Sequence, residues 1–133
     1  MTHRALLPAG WPRPKGYANG VAAASGRLVF VAGMIGWDAQ GRFPEGGLVP
    51  QARLALRNIV AVLAEAGAKP GHIVRMTWYV TSRRDYLAAA REIGAAYRET
   101  IGSYTVAMTA VEVSALMEEQ AVVEIEVTAV VPE

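Results

Sequence analysis

The chain contains no cysteine, which excludes disulfide bonds, thiol catalysis and thiolate metal sites. Its two histidines, His3 and His72, have no partner residue at a metal-binding spacing. It also lacks a phosphate-binding loop, a dinucleotide-binding glycine motif and a nucleophile elbow. We therefore expect a protein that holds no metal and no cofactor.

Neither positive nor negative charge is in clear excess over the chain as a whole. The formal net charge is +1 at pH 7, and no run of Lys or Arg supplies a local basic patch, so nucleic acid is not an expected partner. The longest apolar runs are too short to span a bilayer, so no membrane contact is expected. Without cysteine or a signal-peptide stretch, the expected location is the cytoplasm.

What the chain does contain is enough apolar sequence for one core. Its 133 residues, 53% of them hydrophobic, predict one folded domain over 1–133. Prolines and glycines in the stretch "LLPAGWPRPKGYANG" forbid regular structure there, so residues 1–17 are expected to form an extended arm laid over the body.

The rest of the chain alternates between strand and helix patterns. Apolar residues recur at helical intervals after Pro50 and again from about Asp85 to Ile101, whereas "HIVRMTWYVT" alternates between two faces as a strand does. "VAAASGRLVFVAG" reads as two strands joined by a hairpin turn at Ser25-Gly26. With the two final strands, "TVAMTAVEV" and "AVVEIEVTAVV", the predicted order is β-β-α-β-α-β-β. This order predicts an α+β sandwich with two helices on one sheet face, and self-association would cover the other face.

Three segments resemble the RidA/YjgF family: "RLVFVAGMIGWD", "NIVAVLAEAGAKPGHIVRMTWYVT" and "VEVSALMEEQAVVEIEVTAVV". The similarity runs from about Tyr17 to Pro132. It implies a chorismate-mutase-like fold with a mixed sheet, assembled as a homotrimer with three ligand clefts between subunits. It also implies a small-molecule ligand, and enamine or imine deaminase activity as in the characterised branch of the family.

The resemblance also implies site residues. Tyr17 corresponds to the aromatic residue of the family's N-terminal "GPYS" element and would line the cleft. Gly33 corresponds to the glycine of the "SGQ" turn, where a missing side chain lets a ligand approach the backbone. Glu124 corresponds to the final-strand glutamate that positions or activates the attacking water.

One position departs from the family pattern in an informative way. When "VEV" is aligned with the family's "VEV", the arginine of the family's "ARS" element falls on Met108. A methionine offers neither the charge nor the paired donors that hold a substrate carboxylate. The backbone N–H near Ala110 would hold an anion only weakly, and Arg75 or an arginine of another subunit is a candidate to compensate.

Two function classes therefore stay open. The first is an enzyme that hydrolyses a reactive enamine or imine to a carbonyl compound and ammonia. In that enzyme Glu124 would be catalytic, and Tyr17, Met34, Trp37 and Met108 would form an apolar pocket for a substrate without the usual carboxylate. The second is a metabolite-binding or regulatory trimer that does not turn its ligand over, which the loss of the arginine at Met108 favours. The ligand itself is not identified by the sequence.

Overall fold

The structure is a computed structural model that describes residues 3–103 and 105–133. Its helices are α1 (Leu48–Glu65), α2 (Arg83–Ala88) and α3 (Ala90–Thr100), and a 3₁₀ turn (Pro70–His72) precedes the fourth strand. Its strands are β1 (Arg4–Leu6), β2 (Gly20–Ala22), β3 (Gly26–Ile35), β4 (Ile73–Val80), β5 (Ala107–Glu112) and β6 (Val123–Pro132).

The main sheet has the strand order β3-β6-β4-β5. Strand β6 is antiparallel to both of its neighbours, whereas β4 and β5 are parallel, so the sheet is mixed. Helices α1 and α3 pack on each other, and α1 also packs on β3 and β6. The core lies between these helices and the sheet. The predicted α+β fold with helices on one face of a mixed sheet is confirmed. We call the sheet surface away from the helices the open face.

Local sequence explains the longest elements. Pro50 lies in the first turn of α1, where the helix has no use for the missing N–H, and Gly67 follows its end with a φ of 70° that favours glycine. In β4 the apolar residues Met76, Trp78 and Val80 are buried, and the residues between them are not. No helix among the described residues is long and apolar enough to cross a membrane.

Two sequence predictions about elements are wrong. Strand β2 pairs with β1 of the arm rather than forming a hairpin with β3, and the arm therefore contains a strand. His3 fastens this pairing, since its Nδ1 accepts a hydrogen bond from the backbone N–H of Ala24 and its Nε2 bonds to the carbonyl of Val130. His3 itself is half-buried. Contacts distant in sequence thus override the local turn signal at Ser25-Gly26.

The second wrong prediction concerns the single helix expected from about Asp85 to Ile101. The backbone leaves the helical region at Ala89, with φ −99° and ψ 14°, so the described residues form two helices, α2 and α3, where one was predicted. Helix α3 buries Ile93, Ala96 and Tyr97, whereas α2 buries none of its residues. Helix α3 thus packs on the core through buried side chains, whereas α2 contacts the core through the partly buried Tyr86, and the chain bends between the two.

The arm is attached to the edge of the main sheet beside β5. The N–H of Ala18 donates a 2.8 Å hydrogen bond to the carbonyl of Val106, and Ala18 forms a parallel bridge with Ala107. Ala18 is buried at this junction. The residues just before Ala18 are consequently held next to β5.

The open face exposes large apolar side chains. Phe30 is 71% exposed and Leu28 is 59% exposed, and both lie on β3. A face with such residues is typical of a surface that binds another protein. The homotrimer expected from the sequence stays a prediction.

Candidate functional site

A cavity of about 920 Å³ lies where the arm, the bend between α2 and α3, and strands β4 and β5 meet. We call it the helix-side cavity. Its lining residues are Lys15, Gly16, Tyr17, Trp78, Tyr86, Leu87, Ala90, Arg91, Ile93, Gly94, Tyr97, Arg98, Met108, Thr109 and Ala110. Three residues predicted from the sequence, Tyr17, Met108 and Ala110, are therefore brought together.

Strand register places Met108 on the helix side of the sheet. Met108 is opposite Met76 in the parallel pair of β4 and β5, and parallel partners point to the same face. Met76 is completely buried in the core, and the half-buried Met108 packs against that core. Its remaining surface lines the cavity. Met108 thus contacts both the core and an open space.

The cavity wall below the bend is aromatic. The rings of Trp78 and Tyr86 meet edge to face, with centroids 6.0 Å apart. Burial raises the pKa of Tyr86 above its ordinary value, so its phenol stays neutral at physiological pH. The Nε1–H of Trp78 has no hydrogen-bond acceptor among the described residues. An apolar ligand surface suits such a wall better than a strongly hydrated one.

Glu124 lies on the open face, on the opposite side of the sheet from this cavity. It alternates with the buried Val123 and Ile125 along β6, so its side chain points away from the core. Its carboxylate lies against the backbone of Gly33, where any Cβ would overlap it. Strand β3 has a register shift between Val31 and Met34, at this same place. Because the carboxylate occupies the space of a side chain, an alanine at position 33 would displace the end of the Glu124 side chain.

The start of β6, which carries Glu124, is fixed to helix α1 by a buried polar side chain. The Nε2–H of Gln51 donates to the carbonyl of Gln120, and its Oε1 accepts from the N–H of Val122, both at 2.9 Å. Gln51 is only 4% exposed. Both ends of its amide are satisfied, which is what a buried polar group requires. Gln51 therefore helps to position Glu124.

A second carboxylate, Glu126, shares the open face and has a partner of its own. The Tyr79 hydroxyl donates a 2.6 Å hydrogen bond to Oε1 of Glu126. This hydrogen bond raises the pKa of Tyr79 above its ordinary value, because deprotonation would remove the donor. Glu126 is thus engaged, and no such side-chain donor binds Glu124 among the described residues.

Within one chain, the predicted site is divided. Tyr17, Met108 and Ala110 belong to the helix-side cavity, whereas Gly33 and Glu124 lie together on the open face. Strand β4 also separates β5 from β6. A single copy therefore cannot bring Glu124 beside Met108.

Three further residues named from the sequence, Met34, Trp37 and Arg75, do not line the helix-side cavity. Met34 pairs in register with Ile125 and packs against the core, so it does not line the helix-side cavity. Trp37 contacts Phe43 at a centroid distance of 5.8 Å and is likewise absent from that cavity. Arg75 lies with Glu126 around a smaller hollow on the open face. Within the same chain, Arg75 does not compensate for the methionine at 108.

Sequence reasoning missed several residues of the cavity. Lys15 comes from the arm, Arg91 and Arg98 come from α3, and Tyr86 comes from α2. The sequence did contain a signal for the residues of α3, since Arg91, Gly94 and Arg98 are spaced as neighbours on one helix face.

No group of three His, Cys, Asp or Glu residues that could hold a metal occurs in residues 3–103 and 105–133.

Comparisons with known proteins give the family. Residues 12–131 match the model of the family described as Endoribonuclease L-PSP. A RutC family protein of Synechocystis is 34% identical over 134 residues, which cover 99% of both chains. A goat protein named 2-iminobutanoate/2-iminopropanoate deaminase is 32% identical over 68% of this chain and 64% of its own length.

Solved structures of the family have the same fold. A Rid family protein of unknown function from Yersinia pestis superposes with a TM-score of 0.83 and 33% identity, covering 98% of this chain and 100% of that chain. The structure of Escherichia coli TdcF with bound serine gives a TM-score of 0.70 and 28% identity, covering 96% and 98% of the two chains. The chain belongs to the family that the matching model and these relatives share, which we call the RidA/RutC family.

Proposed function

We propose that the protein assembles as a homotrimer and hydrolyses a reactive imine or enamine of a small metabolite in clefts between its subunits. The observation that carries this proposal is the division of the site between two sheet faces. A cleft between copies would bring the Glu124 and Gly33 of one subunit to the helix-side cavity of the next. The exposed Phe30 and Leu28 supply an apolar surface for such an assembly.

In the proposed reaction, water adds to the imine carbon while Glu124 accepts one of its protons. The imine nitrogen gains protons, the carbon–nitrogen bond breaks, and ammonia leaves as the carbonyl forms. Imine and water thus balance carbonyl compound and ammonia, and no redox step or cofactor is needed. The names of the goat deaminase and of the serine-bound TdcF structure support a small amino-acid-derived ligand. The cytoplasmic location remains a prediction.

The test is ammonia release from 2-aminoacrylate-type imines, compared with their rate of hydrolysis in free solution. We expect acceleration by the unmodified protein and a loss of about 100-fold or more in Glu124→Gln, as for removal of a positioned general base. Glu126→Gln is the matched control, since that carboxylate lies on the same face and is bound to Tyr79. Equal rates for the Glu124→Gln variant and the unmodified protein would contradict the role of Glu124.

A metabolite-binding trimer without turnover is the second candidate. It is favoured by Met108, which lines the helix-side cavity and offers no donor to a carboxylate. Ligand binding by calorimetry together with ammonia release no faster than in free solution would select this function over the first.

A further inference from the structure

The charged residues that line the helix-side cavity are all basic. Three basic residues line it, Lys15, Arg91 and Arg98, and none of its lining residues is acidic. The chain as a whole carries 13 basic and 12 acidic residues, so a cavity without any carboxylate does not simply follow from composition. Cations that converge on a concave surface with low-dielectric walls concentrate anions there.

Two of these cations have no acidic partner in the part of the chain that the structure describes. Elsewhere in the described chain, Arg53 and Arg57 approach Glu99, and Arg84 approaches Asp85. Lys15 and Arg91 form no ion pair among the described residues, and both are exposed at the rim of the cavity. Arg98, by contrast, already interacts with other residues of the chain.

These two cations come from different parts of the fold. Lys15 is on the arm, which the Ala18–Val106 hydrogen bond holds beside β5, and Arg91 is near the start of α3. Between them the cavity is lined by apolar and aromatic side chains that include Met108, Trp78 and Tyr86. The cavity thus combines a cationic rim with an apolar interior.

We propose that Lys15 and Arg91 form a carboxylate anchor at the rim, which replaces an anchor on β5, and that the cavity takes an anion with a bulky apolar body. The carboxylate binds the guanidinium and the ammonium, and the aromatic or branched body packs on Met108 and the edge of Tyr86. The substrate class is then an aromatic or branched-chain carboxylic acid, rather than a neutral apolar metabolite. This inference rests on the proposed function only in placing the reacting group near this cavity.

The test is calorimetry at low ionic strength with two probes of the same shape, 3-phenylpropanoate and its neutral amide. We expect the carboxylate to bind about 10-fold more tightly than the amide, as for a charge-assisted hydrogen bond. Arg91→Gln and Lys15→Gln should each weaken the carboxylate about 5- to 10-fold and leave amide binding unchanged. Arg84→Gln is the control, because it removes the same charge from neighbouring α2 at a residue that does not line the cavity.

The inference is overturned if the two probes bind equally, if neither binds, if both variants leave carboxylate affinity unchanged, or if the Arg84 control shows the same loss. The outcome is independent of turnover. Selective carboxylate binding without ammonia release would contradict the proposed enzyme and leave the anchor intact. Ammonia release that both Arg91→Gln and Lys15→Gln leave unchanged would support the proposed enzyme and contradict the anchor.

Discussion

Replacing Met108 by arginine tests whether this position belongs to the core or to a ligand cavity. The half-buried methionine packs against the core on one side and lines the helix-side cavity on the other. Full burial of a methionine contributes about 1.5–3 kcal/mol, so its half-buried contacts are worth about 1 kcal/mol. The methylene groups of an arginine recover part of this while the guanidinium extends into the cavity.

The expected stability loss of Met108→Arg is therefore about 1 kcal/mol, or a decrease in Tm of about 3–6 °C for a domain of this size. An arginine buried without a partner would instead cost about 3–5 kcal/mol. The matched control is Met76→Arg, at the paired position of β4, where the side chain is completely buried. A similar loss of Tm in both variants would show that Met108 is simply a core residue.

The same variant should gain affinity for small carboxylates such as pyruvate or 2-oxobutanoate. A hydrogen bond to a charged group contributes about 1.5–3 kcal/mol, and the lower end of this range corresponds to about 10-fold in affinity. We expect a gain of about 10-fold by calorimetry. Met117→Arg, at a side chain 95% exposed in the β5–β6 loop, should show no gain. A stable Met108→Arg protein that binds pyruvate no better than the unmodified chain would refute the reasoning.

The remaining predictions concern other parts of the molecule. Gly33→Ala should leave stability nearly unchanged and lower ammonia release, because the new Cβ displaces only the flexible Glu124 carboxylate. Gly36→Ala should lower Tm strongly, because the new Cβ meets the backbone of Gln51. Equal effects on Tm would contradict this difference. Light scattering at micromolar concentration should give about three times 14.2 kDa, and Phe30→Asp, but not Val62→Asp on α1, should reduce it; a monomer would refute the trimer. The raised pKa of Tyr79 means that its hydrogen bond to Glu126 stabilises the fold below the ordinary phenol pKa and is lost as pH rises through the folded pKa. The difference in unfolding free energy between the unmodified protein and Tyr79→Phe should therefore disappear at strongly alkaline pH, and a constant difference would contradict it.

Short-range patterns were sufficient to predict much of the fold. The 3.6-residue spacing of α1, its terminating Gly67 and the alternation of β4 and β6 depend on neighbours within a few residues, so the chain order expresses them directly. The same reasoning failed at β2 and at Ala89. There the outcome depends on pairing with the arm and on where α3 begins to pack on the core, and both are contacts between distant segments.

For the candidate site as well, the sequence predicted which residues take part, and the tertiary structure decided where they lie. Residue types and family motifs predicted Tyr17, Gly33, Met108 and Glu124 as site residues from the sequence alone, and their roles stay predictions. Only the tertiary structure decided that Met108 faces the helices and Glu124 the open face, because the side a residue takes depends on strand register and strand order. It also decided that Lys15 and Arg91 meet at one cavity, since a hydrogen bond between Ala18 and Val106 brings the arm across nearly ninety positions of sequence to the edge of β5.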